Sequence, residues 1–171
     1  MLIISRTAPA VTVLLMVLIS VMPWGLGPSF QFAMPAMPFA AIHYWTRARD
    51  GHMSTWMVFA AGLTVDVLSY GPLSYWAMIY LAGLTLTILL QRSSSDSGSI
   101  TGLASFTFVI AGLLFSAWAL ASGYFMRLID WTPMFWAAAL LIGIYPVVQL
   151  LLAPVECWAA RPRALNLERR A

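Results

Sequence analysis

Apolar residues fall into six runs separated by short polar or turn-forming stretches: about Thr7 to Met22, Pro35 to Trp45, Met53 to Ser69, Pro72 to Gln91, Ile100 to Met126 and Pro133 to Trp158. A helix crossing a hydrocarbon core of about 30 Å needs about 20 residues, within a range of about 17 to 25. The last four runs reach that length and the first two lie at its margin. Arg6 ahead of the first run resembles a signal-peptide start, but no soluble domain follows for it to export, so it reads as a retained helix. The second run is short and carries Pro35 and Pro38, which predicts a tilted, broken or partly re-entrant helix shielded by its neighbours. The pattern predicts an all-α integral membrane protein. Residues 1–160 form a single six-helix transmembrane bundle and 161–171 a basic cytoplasmic tail.

The arginines orient this bundle. On a six-helix arrangement Arg6, Arg47, Arg49, Arg92, Arg161, Arg163, Arg169 and Arg170 share one side, and Arg127 alone falls opposite. The positive-inside rule then places both termini in the cytoplasm and the loops near 23–34, 69–72 and 127–132 outside. Trp24, Tyr44, Trp45, Tyr70, Tyr124, Trp131 and Trp158 stand at run ends, where amphipathic rings favour the headgroup layer, and are expected to be anchors. The stretch Arg92 to Ser99 is small and polar, a flexible cytoplasmic linker dividing four helices from two. Pro28, Phe30 and Phe32 favour folding of the outward 23–34 loop back onto the bundle, and the tail arginines favour anionic lipid.

Composition agrees with that picture. Hydrophobic residues make up 61% of the 171, charged residues 9%, against about 25% in soluble domains, and mean hydropathy is +0.85. No polar stretch is long enough to encode a soluble catalytic or nucleic-acid-binding domain. Cys157 is the only cysteine, which excludes an internal disulfide and a multi-cysteine metal site, and its place beside Trp158 predicts a packed thiol.

Catalytic patterns are missing. His43 and His52 are nine apart with no glutamate between them, unlike a helical metal-hydrolase site, and neither readily reaches an outward serine to build a triad. There is no phosphate-binding loop, and no catalytic residue, metal or cofactor is expected. What stands out is Asp66, a carboxylate inside the run Trp56 to Val67 and just ahead of the turn Leu68-Ser69-Tyr70-Gly71-Pro72-Leu73. Such a group costs about 2.5 to 3.5 kcal/mol at a bilayer centre unless it finds donors, water or a partner. Gly62 is four residues earlier, on the same helix face. A neighbour can approach at Gly62 while Asp66 accepts its hydrogen bonds. The simplest role is helix packing, with ligand or partner contact and a proton relay as alternatives. Glu156 is expected to pair with Arg161 or His43, Gln91 and Gln149 to bond across helices, and Pro146 to kink the last helix.

Taken together, Met22-Pro23-Trp24, Tyr44-Trp45, Gly62-x-x-x-Asp66 with Pro72-Leu73, and Tyr145-Pro146 resemble the bacterial rod shape-determining protein MreD family, over about residues 20 to 155. The family often has glycine after the Pro-Leu pair, where this chain has Ser74. The resemblance implies a non-enzymatic subunit of the bacterial inner (cytoplasmic) membrane, in the complex that builds lateral peptidoglycan and sets cell shape. Its partners would be the single-span scaffold protein MreC, then MreB, RodA and a transpeptidase. Gly62, Asp66, Pro72 and Leu73 would be partner-binding or structural. The family is also similar to the six-helix substrate-binding subunits of energy-coupling-factor transporters, so the rival reading is a vitamin-type small-molecule binding subunit. Few polar groups converge to orient such a ligand, and the lack of paired ionisable groups disfavours an intramembrane enzyme or proton-coupled carrier.

Overall fold

A computed structural model describes the backbone at residues 2–22, 25, 27, 32–48, 53–93 and 99–168, and side chains within 7–22, 25, 27, 32–48, 53–92 and 101–158. Every regular element among them is helical: α1 (Leu2–Val21), α2 (Ala33–Ala36), α3 (Pro38–Arg47), α4 (Thr55–Leu68), α5 (Tyr75–Ser93), α6 (Ser99–Tyr124) and α7 (Thr132–Glu168). α2 and α3 form one broken segment, so six helical segments match the six apolar runs.

The short second run turns out to be the centre of the molecule. Pro35 and Pro38 lack an amide proton, and the chain breaks at Met37, with Pro38 starting α3 at a position where a missing amide costs nothing. Its Phe39, Ala41, Ile42 and His43 are fully buried. α3 packs against α1, α5, α6 and α7, while α4 lies outside it, against α5 and α1. The Tyr80 hydroxyl of α5 donates to the Pro35 carbonyl at the break. Gly83 lets α5 come close: a Cβ there would stand 2.6 Å from Phe39 Cζ and 3.0 Å from Leu113 Cδ1.

Two helices, over Thr101–Tyr124 and Thr132–Trp158, are long and apolar enough to cross a membrane. Only 33% and 22% of their most apolar windows are buried, whereas the core helix of a soluble domain is mostly buried. Phe108, Phe115, Val147, Leu150 and Leu151 face outward from them, side chains that a water-soluble fold would bury. The fourth run yields a helix close to its own length, but the third gives only the 14-residue α4, shorter than the expected span. α4 stops because the chain enters a left-handed turn at Tyr70.

That turn has a twin. α4 closes with the Gly71 amide on the Asp66 carbonyl (3.1 Å) and Tyr70 at φ 54°; α6 closes with the Arg127 amide on the Ser122 carbonyl (3.2 Å) and Met126 at φ 52°. Both are Schellman motifs, and in both the left-handed position usually given to glycine holds a large side chain. α7 runs unbroken through Pro146 and onward to Glu168, so the segment expected as a separate tail from 161 begins as a continuation of the last helix. Residues 94–98 of the linker, Pro23, Trp24, Pro28, Phe30, Arg49, His52, Arg169 and Arg170 lie outside the described residues, as do the side chains of Arg6, Arg161 and Arg163. Phe32 does pack against the core, as expected for its loop.

Gly83→Ala is expected to destabilise the fold by about 1–3 kcal/mol through overpacking against Phe39. Gly143→Ala, with nothing within 4 Å of the added carbon, should stay within about 0.5 kcal/mol of the parent. Thermal unfolding in one detergent, followed by tryptophan fluorescence, checks the pair.

Candidate functional site

Gly62 and Asp66 meet the start of α5, and the sequence carries the reason. The first amides of a helix have no acceptor within it. Asp66 Oδ1 accepts the Trp76 amide at 2.8 Å and Oδ2 the Ala77 amide at 3.4 Å, with the Ser74 amide also directed at the carboxyl group. Asp66 is thus the N-terminal cap of α5, supplied by the preceding helix, and its carboxyl oxygens lie at the positive end of the α5 dipole. It is fully buried.

One turn back, Gly62 makes the approach possible. A Cβ there would lie 2.5 Å from Ala77 Cα, 2.7 Å from its nitrogen and 2.9 Å from the Trp76 oxygen. All three are backbone atoms, so no side-chain rotation relieves the clash. Gly62 and Asp66 therefore act as one clasp between α4 and α5, the packing role weighed first from the sequence.

Pro72 and Leu73 lie in the connecting turn and do not touch the carboxylate in this way. Both are exposed, Leu73 by 71% and the neighbouring Tyr70 by 97%. Ser74, where the resembled family favours glycine, sits at φ 71°. The four sequence candidates thus separate into a buried pair that builds the hairpin and an exposed pair at its tip.

A second polar cluster ties α3 to α6 and α7. His43 Nδ1 lies 2.7 Å from Tyr145 Oη and Nε2 3.3 Å from Ser105 Oγ, while Tyr145 stacks on Phe106 at 3.9 Å. Gln149 also hydrogen-bonds the Tyr145 phenol, within α7. The serine partner escaped the sequence argument, which considered only outward serines; Ser105 belongs to α6 near its start. The pair makes no triad, because Nδ1 faces a phenol rather than a carboxylate and the ring is fully buried.

Other expectations need correcting. Glu156 accepts the Tyr44 hydroxyl and not His43, which is already engaged, while the Arg161 alternative lies outside the described side chains. Trp45 is no interfacial anchor: it is buried, and its indole donates to Thr12 Oγ1 at 2.8 Å. Cys157 is exposed rather than packed, because its face of α7 points away from the bundle. Gln91 is exposed at the end of α5. Tyr70, Tyr124 and Trp131 are exposed at helix ends, as anchors would be, whereas Trp158 is exposed within α7, ten residues before its end.

Between α1 and α4 lies an apolar groove of about 230 Å³, with Ala10, Val13, Val17, Met57, Ala60 and Ala61 among its walls. The hydroxyl of Thr64 beside it is bonded to the Ala60 carbonyl. No three His, Cys, Asp or Glu side chains among the described residues come together as a metal site. No family model matches the chain, and no curated protein or solved structure matches it.

Gly62→Ala and Asp66→Ala should each lower stability, by about 1–3 kcal/mol, while Asp66→Asn, which keeps one acceptor oxygen, should lose less than Asp66→Ala. Ser74→Gly should gain about 0.5–1 kcal/mol by relieving the left-handed backbone. Denaturation midpoints of the four variants in the same detergent test the clasp; an unchanged midpoint for Asp66→Ala would sink it.

Proposed function

We propose that this protein is a multi-pass, non-enzymatic adaptor of the bacterial inner membrane, six-spanning with both termini cytoplasmic. It would bind the single-span scaffold of the cell-elongation complex, an MreC-type protein, beside MreB, RodA and a transpeptidase, and so support lateral peptidoglycan synthesis. The observation that carries this reading is the α4–α5 hairpin. The residues on which the family resemblance chiefly rests form one coherent structural unit, and that unit spends its only carboxylate on its own backbone. A carboxylate committed to helix capping is poorly placed for substrate or ion chemistry.

What the hairpin leaves for others is apolar surface: Tyr70 and Leu73 at its tip, and the groove between α1 and α4 along its flank. Alanines in the groove walls suit close approach of a further helix. The same groove argues against the transporter reading, since among the described residues that line it the one polar side chain, Thr64, is already bonded and so not free to orient a vitamin.

Native mass spectrometry of the protein gently extracted from its own membranes is expected to show a stoichiometric partner with one transmembrane helix and an extracytoplasmic domain. Asp66→Asn should retain that partner and Leu73→Asp should lose it. A retained vitamin-sized mass without the partner would overturn the adaptor reading in favour of a binding subunit.

A further inference from the structure

The loop that joins the two long apolar helices, 125–131, has an unusual surface. Met126 is 92% exposed, Leu128 83% and Trp131 66%, with Tyr124 and Phe125 also outward, and Arg127 lies exposed among them. Arg127 is also the one arginine on the side opposite the other eight in a six-helix topology. An aqueous loop would gain nothing from this composition.

Part of the loop's backbone, by contrast, is bonded internally. The Phe125, Met126 and Arg127 amides bond to the Ala121, Gly123 and Ser122 carbonyls, and the Ile129 amide reaches Ser122 Oγ. The Ile129 carbonyl accepts the Trp118 indole. Asp130 accepts the Thr132 amide and hydroxyl, which hold its carboxyl below the usual carboxylate range. A segment with part of its backbone bonded internally costs less to bring into the water-poor headgroup layer. Met126 occupies a left-handed position where glycine would be at ease, so its side chain is presented against a backbone preference.

Length sets the depth. The 24 residues of Thr101–Tyr124 extend about 36 Å. Centred on a hydrocarbon core of about 30 Å, they end about 3 Å beyond it, inside the polar layer that brings a bilayer to about 40–45 Å. The loop starts there, continuous with the outward apolar faces of α6 and α7.

We propose that the 125–131 loop is a phospholipid-binding wedge. Met126 and Leu128 enter the acyl boundary of the outward leaflet, and the Arg127 guanidinium sits on glycerophospholipid phosphate, the anion it matches in charge and geometry. Arg127 then lies on the outward side because its counter-ion is the headgroup layer itself. The inference rests on α6 and α7 crossing the membrane, as in the proposed function.

The test uses the full chain with Cys157→Ser, carrying a nitroxide at Met126→Cys, Leu128→Cys or, on the mid-helix face of α6, Phe115→Cys, in vesicles of phosphatidylethanolamine and phosphatidylglycerol. Collisional relaxation by oxygen is compared with that by a water-soluble nickel chelate. The loop labels are expected to favour oxygen severalfold over free label in buffer, and adding Arg127→Gln should roughly halve that preference. If Phe115→Cys reads as hydrocarbon while both loop labels read as buffer, the wedge is wrong and the membrane topology stands. Loop labels shielded from both relaxants would place protein there and also overturn it. A Phe115→Cys label in water would defeat the spanning reading itself.

Discussion

Asp66 holds α4 to α5 because the first amides of α5 have no acceptor in their own helix and lie buried at Trp76 and Ala77. The same condition recurs through the bundle. The Tyr80 phenol goes to the Pro35 carbonyl, the Trp45 indole to Thr12, the Tyr75 phenol to the Ala117 carbonyl and the Tyr44 phenol to Glu156. Threonines at 46, 64, 85, 87 and 107 return their hydroxyls to the carbonyl four residues earlier. Among the described residues no buried side-chain nitrogen or oxygen lacks a partner. In apolar surroundings an unmatched polar group costs several kcal/mol, so the bonds that run between helices fix which are neighbours and in what register, while the threonines satisfy themselves within their own helices.

Small residues supply the other half of that order. In the multi-pass reading proposed above, lipid offers little hydrophobic gain in bringing helices together, and contact has to come from close backbone approach. Gly62 against Ala77 and Gly83 against Phe39 draw α5 in toward α4 and toward the central α3, and Gly112 of α6 lies close against Leu86 on another side of α5. α3 tolerates being short and broken because it is enclosed, and the Pro35 carbonyl at the break takes a hydrogen bond from the Tyr80 phenol of α5.

This division explains what the sequence revealed. Gly62 and Asp66 were legible because their meaning is local: a four-residue spacing puts them on one face, and a carboxylate in an apolar run has to be matched. The six apolar runs were legible for the same reason. The central position of α3 was not, since the prolines that announce a break say nothing of what surrounds it. His43 with Ser105, and Trp45 with Thr12, join residues 62 and 33 apart in the chain, and no spacing rule reaches that far. Cys157 was misread because one residue on a long helix turns inward or outward by about 100° per step, a phase that its flanking tryptophan does not set.

The clasp also redirects the search for a partner. Had Asp66 been free, it would have been the natural anchor for another chain's donors. Capping α5, it can influence a partner only indirectly, by holding the turn from Ser69 to Ser74 in shape. Tyr70 sits there in a left-handed backbone position and is almost wholly exposed. A chain that places a bulky aromatic where glycine is easier, beside an exposed leucine, has kept that surface against a local preference. In the adaptor reading, Tyr70 and Leu73 make the contact, and Gly62 and Asp66 hold the backbone that presents them.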